Sequence, residues 1–440
     1  MFSNNLFKNV SNITLINFLI LFFGFSREIV FVYKLGISDL SDNFFFYYLL
    51  VEDFNAIIYT GLLFGLVSYF SGKNLSPSSV KYLVNSLSFK IFKIIPLLVF
   101  IHTILFLSSN NYEFLQIRFF TIITIPFSII NGLLMSYLIY ETKIGIAIFS
   151  RAINYFSIII SMSIIKIPYD YNYLGIVIFM GYLIQFIYLK LIISLDREKI
   201  LYIPYDSTNI LKNQYQWILA PVFVPFLSNL IFRLIFVDDS NNIISAVNYA
   251  TKIITLIGAF TFSVILVGFQ DINLKKKKGL IDEIKKDIKN NITLLSIVLI
   301  PLSFFISILS LDLINLLFLR GNFSQSDAII SADILSILIY SVFPATLYGY
   351  LVRIYGSFSQ NRNFVLFHIF LFLLSSISLL ILFKIGMELI AFPVSLILSN
   401  SILSIFVYLG LSKFFDGLQK YYLIFTLLLN FLLAFCTFIQ

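Results

Sequence analysis

The sequence predicts an all-α polytopic membrane protein: about thirteen transmembrane helices, arranged as two pseudo-symmetric six-helix lobes around a central cavity, plus one C-terminal helix. Three observations carry that prediction. The 440 residues are 59% hydrophobic and only 12% charged, with a mean hydropathy of +0.96, which no soluble domain of this size tolerates on its surface. Apolar runs long enough to cross ~30 Å of hydrocarbon, roughly 20 residues each, recur along the whole length. The charges in the breaks between them alternate in type. Unpaired backbone groups are costly in lipid, so spans this long and continuous are helices.

The first run, 12–35, is closed by a break holding Asp39 and Asp42. The second, 43–71, is followed by Lys73, Lys81 and Lys90, and the third, 87–109, by Asn110 to Glu113. The fourth, 114–140, leads to Lys143, the fifth, 144–166, to Asp170, and the sixth, 173–195, to Arg197, Lys199 and Lys212. The seventh, 214–237, turns through Asp238, Asp239, Ser240, Asn241 and Asn242 into the eighth, 243–270, which precedes Lys275 to Lys278. The ninth, 291–310, meets Arg320 and Gly321, and the tenth, 328–356, meets Arg362. The eleventh, 363–384, and twelfth, 388–411, lead to Lys413, Lys420 and a last run, 421–439. Lysine and arginine mark the cytoplasmic side, so the N-terminus is expected inside and Gln440 outside.

These runs divide into an N-terminal lobe over 1–195, a cytoplasmic linker over 196–213, a C-terminal lobe over 214–411, and an extra helix within 412–440. The halves show weak self-similarity. Pro126, Gly132 and Tyr137 in the fourth helix answer Pro344, Gly349 and Tyr355 in the tenth, with the same interval from proline to tyrosine, and Pro96 answers Pro301. Duplicated bundles of this kind enclose a cavity that opens to alternate sides. In the long basic connection over 271–290, Leu280, Ile281, Ile284 and Ile288 share one helical face among lysines. That pattern fits a helix lying on the inner membrane surface, and equally a solvated connector.

Several function classes drop out. The net charge of +8 is spread over short loops, so no nucleic-acid partner is expected. A single cysteine, Cys436, forms no disulfide within the chain, and His102 and His368 are far apart and lack the companions a metal site needs. No Gly-rich phosphate loop, metal cluster or large catalytic loop is present, and the chain is not expected to be an enzyme or to hold a cofactor.

Charges at membrane depth are the candidates for function, because each costs roughly 2.5–3.5 kcal/mol at the bilayer centre unless it faces a partner or a wet cavity. The stretch from Gly24 to Phe31 places Arg27 beside Glu28 inside an apolar run. Arg27 lies about twelve residues before the turn near Ser38 to Leu40, and Glu52 about twelve after it, so at ~1.5 Å per residue both sit about 18 Å below the turn. They are placed to meet across the hairpin. Glu28, about 100° around the helix, is free to pair elsewhere, and Asp53 and Asn55 continue the polar face of the second helix. Lys252 reaches the matching depth in the second lobe, and Arg118, Arg151, Arg233 and Arg353 add cations. Arg118, near a helix end, is expected to snorkel to lipid phosphate. A cavity lined by arginine and lysine suits an anionic, phosphate-bearing substrate, and carboxylates beside it offer sites for Na⁺ or H⁺ coupling or for sensing the membrane potential.

Gly24-Phe25-Ser26-Arg27-Glu28, then Gly36 and Asp42-Asn43-Phe44-Phe45, resembles the opening of the MurJ/MviN lipid II flippases. So do Asn248 to Lys252, the turn from Leu319 to Phe323 with Asp327, and Tyr355 to Arg362. The resemblance implies a multidrug/oligosaccharidyl-lipid/polysaccharide exporter fold in a bacterial inner membrane, carrying an undecaprenyl-diphosphate-linked sugar across by alternating access. It implies that Arg27, Glu28, Glu52, Asn55, Arg233, Lys252 and Arg353 belong to the cavity and that Asp42 and Arg320 lie at its external mouth. The departures are specific. Leu21 and Asn55 stand where the family has cavity arginines, Lys252 and Thr251 replace an arginine and an aspartate, and Thr60-Gly61 replaces Glu-Gly. The eleventh helix lacks an aspartate for a sodium site, and there is room for about one helix after Leu411 where the family has two. Fewer cations leave open another lipid-linked oligosaccharide, such as an O-antigen or capsule unit; a cation-coupled multidrug exporter and a non-transporting scaffold complete the alternatives.

Overall fold

The computed structural model describes residues 4–57, 77–96, 99–100, 115–141, 143–165, 173–195, 220–236, 243–277, 279–358, 361–412 and 420–439. Every regular element among them is a helix. The chain forms two compact units, Met1–Phe226 and Leu227–Gln440. The linker expected over 196–213 lies outside the described residues, as do the end of the second helix, with Thr60 and Gly61, and most of the expected third span.

In the first unit α1 is Asn4–Leu35, α2 Asp39–Ile57, α3 Pro77–Phe92, α4 Leu115–Tyr140, α5 Ile144–Ile164 and α6 Leu174–Leu195. Helix α4 packs on α2, α3 and α6, while α5 packs on α1 and α6. The α1–α2 turn carries Gly36 at φ 60°, a left-handed conformation that glycine adopts without steric cost. Ser38 then caps α2, its hydroxyl accepting the Ser41 backbone N–H at 3.2 Å, which satisfies one of the orphan donors of a helix start. Glycine also lets α5 and α6 approach closely. A Cβ added to Gly181 would stand 2.6 Å from Ile158 Cγ1, the small-residue contact expected of helices in lipid.

The second unit holds most of α7 (Ala220–Phe236), then α8 (Ile243–Lys277), α9 (Ile281–Ile308), α10 (Ser310–Phe318) and α11 (Gln325–Leu338). A 3₁₀ turn, Ile339–Ser341, leads into α12 (Val342–Phe358), followed by α13 (Asn361–Lys384), α14 (Glu388–Leu411) and α15 (Lys420–Ile439). Among the described residues seven helical stretches are long and apolar enough to cross a membrane, including Gln325–Tyr355 through the 3₁₀ turn. The outer surface fits lipid. Ile297, Phe305, Phe370, Ile381, Phe425 and Leu432 are exposed, whereas Ser303, Ser331, Ser395, Ser404 and Asn430 are buried, the small-and-polar interior of membrane bundles.

Four local expectations change. The third helix begins ten residues early, at Pro77, because the polar residues that read as a loop, Ser78, Ser79 and Lys81, are buried against the unit, and proline suits a first helical position. A short helix, α10, occupies part of the turn after the ninth span. The tenth span is broken at Ile339–Ser341. Most consequential, the basic connection over 271–290 is neither a surface-lying helix nor a loose connector. Helix α8 runs on to Lys277, a tight turn carries Gly279 at φ 71°, and α9 starts at Ile281. Ile284 and Ile288 pack in the same buried cluster as Ile272 of α8, while Leu280 and Ile281 stay exposed. Lys275 Nζ donates to Asp287 Oδ2 at 2.5 Å across the hairpin. Of the apolar face expected over this stretch, the half formed by Ile284 and Ile288 is covered by protein.

Candidate functional site

Among the described residues, a cluster of buried charge lies in the first unit. Helix α1 presents Arg27 and α2 presents Glu52, and Arg27 Nη1 donates to Glu52 Oε1 at 3.2 Å, as the depth count requires. Glu28 pairs with its own neighbour: its Oε1 accepts from Arg27 Nη2 at 2.5 Å and from Nε at 3.2 Å. Two successive residues leave a helix ~100° apart, but both side chains are long enough to curl together. The guanidinium thus lies between two carboxylates, with Arg27 3% and Glu28 2% exposed and the Glu52 side chain 21% exposed.

Three rings complete the enclosure. The Arg27 Cζ lies 4.4 Å from the Tyr155 ring centroid, 5.2 Å from Tyr48 and 5.8 Å from Phe31, distances at which a desolvated cation–π contact contributes about 2 kcal/mol. Gly24 makes room for this. A Cβ there would sit 3.2 Å from Tyr155 Cε2, tight enough that the ring would have to give by a few tenths of an ångström. Arg151, one turn before, donates Nη2 to the Tyr155 hydroxyl at 3.3 Å.

From Glu52 the polar contacts continue into the core of the unit. Tyr182 of α6 donates its hydroxyl to Glu52 Oε1 at 3.3 Å, and its backbone carbonyl accepts from Asn131 Nδ2 at 3.0 Å. Gln185 Oε1 accepts from both Asn131 and Asn154, each at 3.3 Å, and Gln185 Nε2 donates to Ser150 Oγ at 3.1 Å. These buried amides tie α4, α5 and α6 together. Sequence reasoning missed them, since each is a single polar residue in an apolar helix with no periodic signal; the available cue was that such residues must find partners in lipid. Asn55 of α2, buried, accepts from Ser128 Oγ at 3.3 Å.

The remaining candidates lie on other elements. Arg233 on α7 is buried, and Lys252 on α8 and Arg353 on α12 are half-buried. Arg353 Nη1 donates to its own helix at the Gly349 carbonyl, 2.9 Å away. Asp42 is buried in the first turn of α2, where the positive end of the helix dipole favours a carboxylate. Arg320 is exposed and donates to the Leu316 carbonyl at 2.9 Å. Asp327 completes a capping box with Ser324 at the start of α11. Leu21 is 41% exposed, unlike the enclosed Arg27. Among the described residues no group of three His, Cys, Asp or Glu side chains could hold a metal ion.

The profile of the lipid II flippase MurJ family matches residues 31–440. Among solved structures, the chain is similar to a lipid II flippase MurJ in an inward closed conformation, with a TM-score of 0.74 and 17% identity over 97% of both chains. It is also similar to an inward-facing multidrug resistance MATE family transporter of the MOP superfamily, with a TM-score of 0.68 and 12% identity over 91% of this chain and 96% of that one. A third likeness is a MOP superfamily transporter from Pyrococcus furiosus, with a TM-score of 0.64 and 12% identity over 91% and 95%. Comparison with curated protein sequences gives no match. These structural likenesses carry the fold, and the family profile spans most of the chain: the chain belongs to the lipid II flippase MurJ family.

Proposed function

We propose that this protein flips an undecaprenyl-diphosphate-linked sugar, lipid II or a similar cell-envelope precursor, across a bacterial inner membrane by alternating access. The observation that carries this reading is the family match over residues 31–440. The chemistry agrees with it. Arg27, Arg233, Lys252 and Arg353 supply cations at membrane depth, and guanidinium and ammonium groups recognise diphosphate oxygens through charge-assisted hydrogen bonds.

Within this reading the cations take different parts. Arg27 is already neutralised by Glu28 and Glu52, so it fixes the α1–α2 hairpin in the conformation described. Lys252 and Arg353 are partly exposed and are the better placed to meet a headgroup. Glu52, the more exposed of the two carboxylates, is the site we assign to any Na⁺ or H⁺ coupling, and the protein needs no cofactor. The N-terminus faces the cytoplasm, following the loop charges.

Two measurements test the function. The protein is expected to restore growth to a bacterial strain depleted of its own lipid II flippase, with Lys252→Ala failing to do so at normal protein level. Native mass spectrometry of the purified protein is expected to show a bound species with the mass of an undecaprenyl-diphosphate sugar. No growth and no such species would overturn the reading, whereas a bound O-antigen or capsule unit would redirect it to that substrate.

A further inference from the structure

The break in the tenth span is built from two places in the chain. Pro344 has no backbone N–H, so the carbonyl four residues earlier, that of Tyr340, loses its helical donor. That carbonyl is nonetheless satisfied: Asn430 of α15 donates Nδ2 to the Tyr340 oxygen at 2.9 Å. Helix α9 adds donors nearby, Ser303 Oγ to the Ile339 carbonyl in the 3₁₀ turn at 3.2 Å and Ser307 Oγ to the Ser336 carbonyl near the end of α11 at 2.6 Å. Unwound carbonyls of broken transporter helices commonly coordinate cations; here an amide donor occupies the Tyr340 carbonyl instead.

Asn430 is fully buried. Its own Oδ1 has no hydrogen-bond partner among the described residues, so the amide is kept for its donor at the cost of an unsatisfied acceptor. The segment that follows is α12, which starts directly after the turn and carries Arg353.

We propose that Asn430 is a positioning residue for transport: its Nδ2 replaces the donor that Pro344 removes, and so holds the 3₁₀ turn from which α12, with Arg353, departs. The transport part rests on the flippase reading above; the substitution of one donor for another does not.

The test is a pairwise comparison in the full-length protein. In purified protein without substrate, Asn430→Leu is expected to speed amide hydrogen exchange over residues 336–344 about tenfold, and Asn430→Gln, which keeps a donor, to recover most of that loss. Pro344→Ala returns a backbone N–H to the Tyr340 carbonyl. In that background Asn430→Leu is expected to change exchange less than about twofold. If Asn430→Leu alone does not fold, folding of the double variant supports the proposal equally. Unchanged exchange in the single variant, or a double variant that is as impaired as the single one, overturns it. Pro344→Ala alone is expected to raise the melting temperature while slowing growth rescue, a split that a purely structural bend does not produce; wild-type rescue by Pro344→Ala overturns the positioning role. Failure of the wild type itself to rescue growth counts against the flippase reading and leaves the exchange result to decide this one.

Discussion

Arg27 has more partners than a cation waiting for substrate needs. Two carboxylates and three rings surround it, so its removal takes from Glu28 and Glu52 the cation they share. Breaking a buried ion pair from one side costs about 3–5 kcal/mol. Arg27→Ala is therefore expected to lower the melting temperature in detergent sharply as well as abolish growth rescue. Arg27→Lys is expected to recover only part of the stability, because an ammonium cannot reproduce the planar fork that reaches both carboxylates. A lysine variant as stable as the wild type would show that charge alone matters here. The Arg27–Glu52 contact was legible in the sequence because helix rise converts residue counts into depth. The Glu28 contact was not, since angular spacing says nothing about how far two long side chains bend. Gln185, Asn131 and Asn154 were silent for a different reason: a lone amide in an apolar helix announces burial but not its partner.

At the scale of elements, the α8–α9 hairpin shows what a hydrophobic face can and cannot tell. Ile284 and Ile288 were recognisable as one face, yet membrane and protein present the same apolar chemistry to it, and only the three-dimensional path of α8 decides between them. The salt bridge over this contact has partly exposed partners, 21% and 22%, and such pairs contribute at most about 1 kcal/mol. Asp287→Asn is accordingly expected to shift the melting temperature little, and Ile288→Asp to destabilise strongly, by burying a charge in the cluster with Ile272. Equal effects from the two would mean that the hairpin is held by charge and not by packing. The α5–α6 contact makes a parallel prediction. Gly181→Val pushes methyl groups into Ile158 and, as overpacking, is expected to cost about 1–3 kcal/mol. The proline-to-tyrosine interval shared by α4 and the tenth span was visible in sequence, but its outcomes differ: Pro126 sits within an unbroken α4, whereas Pro344 follows a 3₁₀ turn. Sequence does not show whether neighbouring helices offer donors for a break.

For the molecule as a whole, membrane residence and the helical fold class were readable from composition and run length, because lipid enforces both on any sequence this apolar. The loop charges also make an orientation testable. In a Cys436→Ser background, which removes the only cysteine, Leu280→Cys is expected to react with an impermeant thiol reagent only from the cytoplasmic side, and Asn322→Cys only from the opposite one. The reverse pattern would invert the assigned topology. The bond between Tyr340 and Asn430 joins positions ninety residues apart, and this bears on biogenesis. At a synthesis rate of about 5–20 residues per second, the ribosome makes the donor roughly 5–18 s after the acceptor. Through that interval the nascent tenth span is in the bilayer or the translocon without the donor that replaces the one Pro344 removes. Translation past residue 430 is thus a folding step in its own right, and a slow codon stretch or a chaperone acting on the last helix would extend the time during which the second unit is open to the cell's membrane proteases.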